Sequence, residues 1–363
     1  MSGCQVSWRL LVGSIAVVLL AGCASGGSQA PTPPMRTNAP SSAVTTPSPA
    51  VEGTSPRTPA PPTFKVKWNV PYESTNPALT PDALDIFAPT RAGPWPVVVM
   101  FHGAPGDDPA ADRNGLMEYA RRVAELGFVV FNASWGHLPG GMPAVPGRQW
   151  LQANNAQGAC AVEFARSNAS KYGGDPSTMI VFGHSGGAHV AATATFARPE
   201  PTAGCLGGTT LGAIDALVTW EGNWILSVNT PDMDAALAAD PGVMDILTPW
   251  NYLAAHRDQK VVMLVSETPG AVYEREVGDP WAADSWLAVR DPSGDLRRQL
   301  EANGAFADGW IGQADAQQLL FSVLKAQGNP VSLDVMPDST HVSLRDAGWD
   351  VFLAAFPKAA AKD

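Results

Sequence analysis

The short apolar run Met179 to Phe182 passes directly into Gly183-His184-Ser185-Gly186-Gly187 and then into an alanine-rich stretch, and this junction restricts the fold more than any other part of the chain. An apolar run bounded by glycine reads as a strand buried on both faces, and the composition after it is that of a helix. A strand that becomes a helix within so few residues must turn sharply. Small residues at 183, 186 and 187 permit that turn, which lifts the Ser185 hydroxyl clear of the sheet and sets it at a helix N-terminus, where backbone donors and the helix dipole favour negative charge. Ser185 is therefore the candidate nucleophile.

The rest of the chain fits around such a junction. Val66 to Val70 and Leu84 to Phe87, separated by Pro77 and Pro81, predict an antiparallel start. Val97 to Phe101, Phe128 to Phe131, Ala216 to Trp220, Val261 to Val265 and Val331 to Met336 are predicted strands, most of them continuously apolar as in a parallel sheet. Helices are predicted over Leu116 to Leu126, stopped by Gly127, over Trp150 to Asn168, and over about Ala316 to Ala326. Strands alternating with helices predict an α/β domain with a mostly parallel sheet, from residue 64 to 363.

The N-terminal part has a different composition. Arg9 precedes an apolar run, Leu10 to Leu20, that is too short to span a bilayer, and Leu20-Ala21-Gly22-Cys23 follows it. This arrangement resembles the signal and lipobox of bacterial lipoproteins. The resemblance implies a signal peptide over 1–22, lipid on Cys23, and export to the outer face of the cell membrane or its periplasmic side; an ordinary signal peptide with an incidental Cys is the alternative. Residues 24 to 63 are rich in Pro, Ser, Thr, Gly and Ala, a composition that cannot offset the entropy of ordering, and they read with Cys23 as a disordered tether over 23–63. In an oxidising compartment the two remaining cysteines, Cys160 and Cys205, are expected to pair, closing a loop worth about 4 kcal/mol on the chain-entropy model. Two buried thiols are the alternative.

With 34 acidic against 23 basic residues the net charge is −11, which argues against a nucleic-acid surface and for a small or neutral ligand. The six histidines are scattered and no Cys and His cluster has metal-ligand spacing, so neither metal nor cofactor is expected.

Three stretches together, the G-x-S-x-G at Gly183 to Gly187, Tyr172-Gly173-Gly174-Asp175-Pro176 before it and Phe101-His102-Gly103 after an earlier strand, resemble the α/β-hydrolase superfamily. Within it the chain is similar to carboxylesterases and feruloyl or acetylxylan esterase-like enzymes, over about residues 64 to 357. The resemblance implies a twisted, mostly parallel sheet with helices on both faces and a nucleophile, acid and base in that chain order. His341 is the only histidine beyond the last predicted strand and takes the role of base. For the acid, Asp308 is the first choice, because its distance to the following helix resembles the family's; Glu267, directly after the strand at Val261 to Val265, and Glu221, after the preceding strand, are the alternatives. The Gly186 N–H and the Ala104 N–H are the expected oxyanion donors, since Pro105 has none to give.

Of the other histidines, His102 is expected to order its loop, His184 and His189 to pack or line the pocket, His137 to edge it, and His256 to lie on the surface. The stretch 267–307, with Trp281 and Trp286, is longer than an ordinary connection and reads as an insertion forming a lid or pocket wall. Trp135, Trp220, Trp224 and Trp310 either line the crevice at the strand ends or fill the core under the loops. The reading implied is cofactor-independent ester hydrolysis through an acyl-enzyme, with a small-molecule ester as partner and a membrane reached through the lipid anchor. Peptidase or acyltransferase chemistry by the same residues is the second reading, and a ligand-binding lipoprotein with a decayed site is the third.

Overall fold

The computed structural model describes residues 63–74, 83–103, 112–136, 148–222, 249–268 and 313–361, with 246 and 298 as isolated positions. The chain divides into two units, Met1–Thr58 and Pro59–Asp363, and every described residue lies in the second. The expected signal peptide, Cys23 and the tether up to residue 62 fall outside the described residues, as do Ala104, His137, Trp224, Trp281, Trp286, Asp308 and Trp310.

The strands are β1 (Phe64–Pro71), β2 (Ala83–Pro89), β3 (Trp95–Phe101), β4 (Val129–Ala133), β5 (Gly174–His184), β6 (Ala216–Trp220), β7 (Lys260–Thr268), β8 (Val331–Thr340) and β9 (Ser343–Leu344). They form one sheet in the order β1-β2-β4-β3-β5-β6-β7-β8-β9. From β4 to β8 all neighbours are parallel, while β1, β2 and β9 pair antiparallel, so the antiparallel start is where the sequence predicts it. Helices α1 (Met117–Glu125), α2 (Arg148–Asn168), α3 (Gly186–Phe196), the single turn α4 (Trp250–Leu253), α5 (Gln313–Gln327) and α6 (Asp346–Ala360) complete the domain. Gly127 takes φ +95° just past α1, a left-handed helix stop.

A buried parallel strand must be apolar on both faces, and β3 shows why its run is continuous. Val97, Val99 and Phe101 pack with α2, α3 and α5, whereas Val98 and Met100 pack on the opposite face with α1 and α6. On that second face Phe182, Phe352 and Phe356 form a cluster of tilted and edge-on rings with centroids 5.3 to 5.8 Å apart. Helix α6 has no counterpart in the sequence expectation; Gly348 and an internal Pro357 weaken its helical pattern, and its Phe352 and Phe356 are held by packing.

Two devices tie the elements together. Cys160 of α2 and Cys205, in the segment after α3, form a disulfide with Cα atoms 5.4 Å apart. Separately, Arg113, in the 3-10 turn before α1, gathers three strands at once. Its guanidinium bonds Asp85 of β2 at 3.1 Å, the Ser134 hydroxyl just past β4 at 2.6 Å, and Asn69 of β1. Ser134 in turn donates to Asp112, and the Asp85 carboxylate also accepts the Asn69 N–H at 2.8 Å. Asn69 takes φ +54° where the β1–β2 register slips, so the bulge is shaped around this buried charge cluster.

Candidate active site

Strand β5 ends at His184 and α3 begins at Gly186, leaving Ser185 alone to make the turn. It does so at φ 51° and ψ −123°, a strained conformation that the surroundings must enforce. The enforcement is visible. The Ser185 N–H donates to the Trp220 carbonyl at 2.9 Å, and its own carbonyl accepts from Ala188 N–H at 3.0 Å. A Cβ on Gly183 would stand 2.3 Å from the Gly187 carbonyl oxygen, and one on Gly187 would stand 2.2 Å from that of His102. Glycine is thus required at both positions by backbone on the far side. Gly186 opens α3, and the first N–H groups of a helix have no partner within it, so its donor is free for a developing oxyanion.

His341 sits in the two-residue turn between β8 and β9, where Thr340 pairs with Ser343 and their hydroxyls lie 2.7 Å apart. The predicted loop at Pro337 to His341 is therefore the end of a lengthened strand and the tip of a tight hairpin. From there Nε2 lies 3.1 Å from Ser185 Oγ and Nδ1 lies 2.5 Å from Glu221 Oε2. A carboxylate can only accept, so the imidazole carries its proton on Nδ1 and turns the Nε2 lone pair to the serine hydroxyl.

The carboxylate that reaches His341 is Glu221, one of the two alternatives to Asp308. Asp308, the first choice, lies outside the described residues. Glu267 is turned elsewhere, its Oε2 accepting the Asp338 N–H at 2.8 Å. Strand register supplies the physical reason for the place of Glu221. Trp220 pairs with His184 on one side and Leu264 on the other, so the next residue after β6 emerges level with Ser185. Glu221 then takes φ +46°, ending the strand, and its fully buried carboxylate accepts the Ser266 N–H at 2.7 Å through Oε1. Burial alone would raise its pKa, but hydrogen bonds from His341 and Ser266 outweigh burial and hold the group below the usual carboxylate value. A carboxylate directly after the short, largely apolar strand Ala216–Trp220 was the available signal.

Three further histidines lie near the turn. The ring of His102 stacks on Trp135 with centroids 5.6 Å apart, its Nδ1 lies 2.6 Å from the Gly103 carbonyl, and its Nε2 accepts the Trp135 N–H at 3.3 Å. His102 therefore orders its loop. His184 and His189 are both held neutral down to about pH 4, chiefly by burial, with the neighbouring His341 adding to the effect at His184. Among the described residues no group of three His, Cys, Asp or Glu side chains is placed to hold a metal ion.

Residues 84–203, the segment from β2 to just past the nucleophile helix, match the BD-FAE family model. The chain is 31% identical over 110 residues to gut esterase 1 of Caenorhabditis elegans, a stretch covering 29% of this chain and 19% of that protein. It thus spans about a fifth of the length of the curated relative it matches. Among solved structures, a truncated carbohydrate esterase from gut microbiota superposes with a TM-score of 0.53 at 17% identity, covering 84% of this chain and 99% of its own. Esterase 2 of Thermogutta terrifontis with propionate bound gives 0.53 at 15% identity, covering 83% and 94%, and the same esterase phosphorylated by paraoxon gives 0.51 at 16%, with the same coverage. With its parallel sheet, helices on both faces and these neighbours, the domain has the α/β-hydrolase fold.

Proposed function

We propose that this chain is a serine hydrolase of carboxylic esters, with Ser185 as nucleophile, His341 as general base and Glu221 as the orienting acid. One observation carries the reading: the unbroken line from Glu221 Oε2 through the His341 imidazole to Ser185 Oγ, with steps of 2.5 and 3.1 Å. A fully buried carboxylate set on that histidine is the arrangement that this chemistry needs. As Ser185 Oγ attacks the ester carbonyl its proton passes to His341 Nε2, and the positive imidazolium is stabilised by Glu221. The tetrahedral oxyanion is met by the Gly186 N–H and by a donor from the loop after Gly103, for which Ala104 remains the candidate. His341 then protonates the leaving alcohol, and a water activated by the same nitrogen releases the acid and restores Ser185.

Esters of short acyl chains are the proposed substrates. Their support is the propionate-bound state of the Thermogutta esterase and the esterase character of the other neighbours. The proposal extends to the chain's address: processing before Cys23, lipid on that residue, and a tether that holds the domain off a membrane, in a compartment where Cys160 and Cys205 oxidise.

The test is turnover of nitrophenyl acetate and butyrate by the full chain in mild detergent, beside a nitroanilide of matched acyl group. Ester hydrolysis that Ser185→Ala abolishes, together with fluorophosphonate labelling of Ser185, is the expected outcome. Preference for the nitroanilide would instead make the chain a peptidase. Neither turnover nor labelling would remove the enzymatic reading.

A further inference from the structure

His184 lies between the strand and the nucleophile, yet takes no part in the proton relay described above. Its ring is placed with care. One neighbour is Trp220, with ring centroids 4.3 Å apart, and another is His341, with centroids 4.9 Å apart. Its Nε2 lies 2.6 Å from the backbone carbonyl oxygen of His341. A carbonyl only accepts, so that nitrogen carries a proton and donates it.

This hydrogen bond joins the residue before the nucleophile to the residue that serves as base, across 157 positions of sequence. His341 otherwise hangs at the tip of a two-residue hairpin whose next residue, Val342, is 74% exposed. A base displaced by about 1 Å from its nucleophile can lose on the order of a hundredfold in rate, so what fixes the tip decides the chemistry. The same Trp220 that packs on His184 donates its indole N–H to Ser266 Oγ at 3.0 Å, and Ser266 holds Glu221 through its own N–H. One indole thus backs the clamp on the base and the clamp on the acid.

Resting on the assignment of His341 as base, we propose that His184 is a positioning residue: its Nε2–H bond to the His341 carbonyl latches the hairpin tip onto the nucleophile turn and sets the imidazole within reach of Ser185. Burial keeps the latch neutral to about pH 4. A cation there, beside the imidazolium formed during turnover, would oppose the proton transfer that the latch serves.

The experiment compares His184→Phe, which keeps a ring against Trp220 but has no donor, with His184→Gln, whose amide N–H can reach the same carbonyl. The Phe variant is expected to lose roughly 10- to 100-fold in kcat, with KM within about threefold of wild type, and the Gln variant to recover most of the loss. A second readout needs no turnover: the low-field proton resonance of His341 Nδ1–H, identified by its loss in Glu221→Gln. It should persist in the Gln variant and broaden or vanish in the Phe variant. Should the Phe variant not fold, His184→Met makes the same comparison without the ring. Equal loss in the donor and non-donor variants, a change confined to KM, or an unaltered resonance would overturn the latch. A wild-type protein without esterase activity whose resonance still follows this pattern would keep the latch and remove the esterase reading.

Discussion

Around Ser185 the backbone itself leaves no room, whereas Glu221 is kept in position by hydrogen bonds. The nucleophile turn is bounded by carbonyl oxygens 2.2 to 2.3 Å from where a side chain at Gly183 or Gly187 would begin. The acid is held by donors, the Ser266 N–H at 2.7 Å and His341 Nδ1 at 2.5 Å. Steric constraint fixes the residue type at Gly183 and Gly187, two positions of one short stretch, so it leaves a motif. Hydrogen-bond constraint is graded and crosses strands, so it leaves none.

Substitutions on the two sides should therefore fail differently. The largest effect belongs to the steric side: Gly187→Ala drives a methyl into the His102 and Phe101 carbonyls and should cost about 3 kcal/mol or more, read by urea unfolding. A variant as stable as wild type would mean that the turn can relax and that the contrast is false. On the acid side Glu221→Gln should fold and yet lose about 10³- to 10⁴-fold in kcat, because an amide cannot select the Nδ1–H tautomer. Retention of most of the activity would return the acid role to another carboxylate. Ser266→Ala removes the hydroxyl that accepts from Trp220 but leaves the backbone donor to Glu221, so a loss of about tenfold in kcat is expected. The smallest effect is a slope. Between the ordinary histidine value of 6.5 and about 4, the unfolded chain takes up protons at positions 184 and 189 that the folded chain refuses. Stability contributed by their neutrality is therefore complete above pH 6.5 and falls as pH drops toward 4. Tm measured from pH 7 to 4.5 should decline, and His189→Gln should flatten that decline.

The same contrast explains what could be read from the sequence. Ser185 was legible because the positions that must be glycine fall within five residues, even though the carbonyls that exclude a side chain at Gly187 belong to Phe101 and His102. His341 was legible because the chain order asks for a late histidine and there is one. The acid was not, since a chain with 34 carboxylates offers many, and what selects Glu221 is the pairing of Trp220 with both His184 and Leu264. Distance to the following helix, the guide that favoured Asp308, measures position along the chain, while the imidazole responds to position across the sheet. Strand bounds show a related limit. The apolar run Met179 to Phe182 marks the buried middle of β5, but the strand runs from Gly174 to His184 because its polar ends pair as well. The roles of His184 and Ser266 likewise depend on partners 157 and 45 positions away.

The charge cluster around Arg113 has a consequence for how the sequence can drift over generations. Asn69, Asp85, Asp112, Arg113 and Ser134 share one set of bonds across three strands and a helical turn. Losing Arg113 strands the buried Asp85 carboxylate, whereas exchanging the whole set for apolar residues of similar volume need not be costly. These positions therefore form a single inherited unit. Divergent descendants of this chain should carry the set intact or lack it entirely, with few intermediates surviving between.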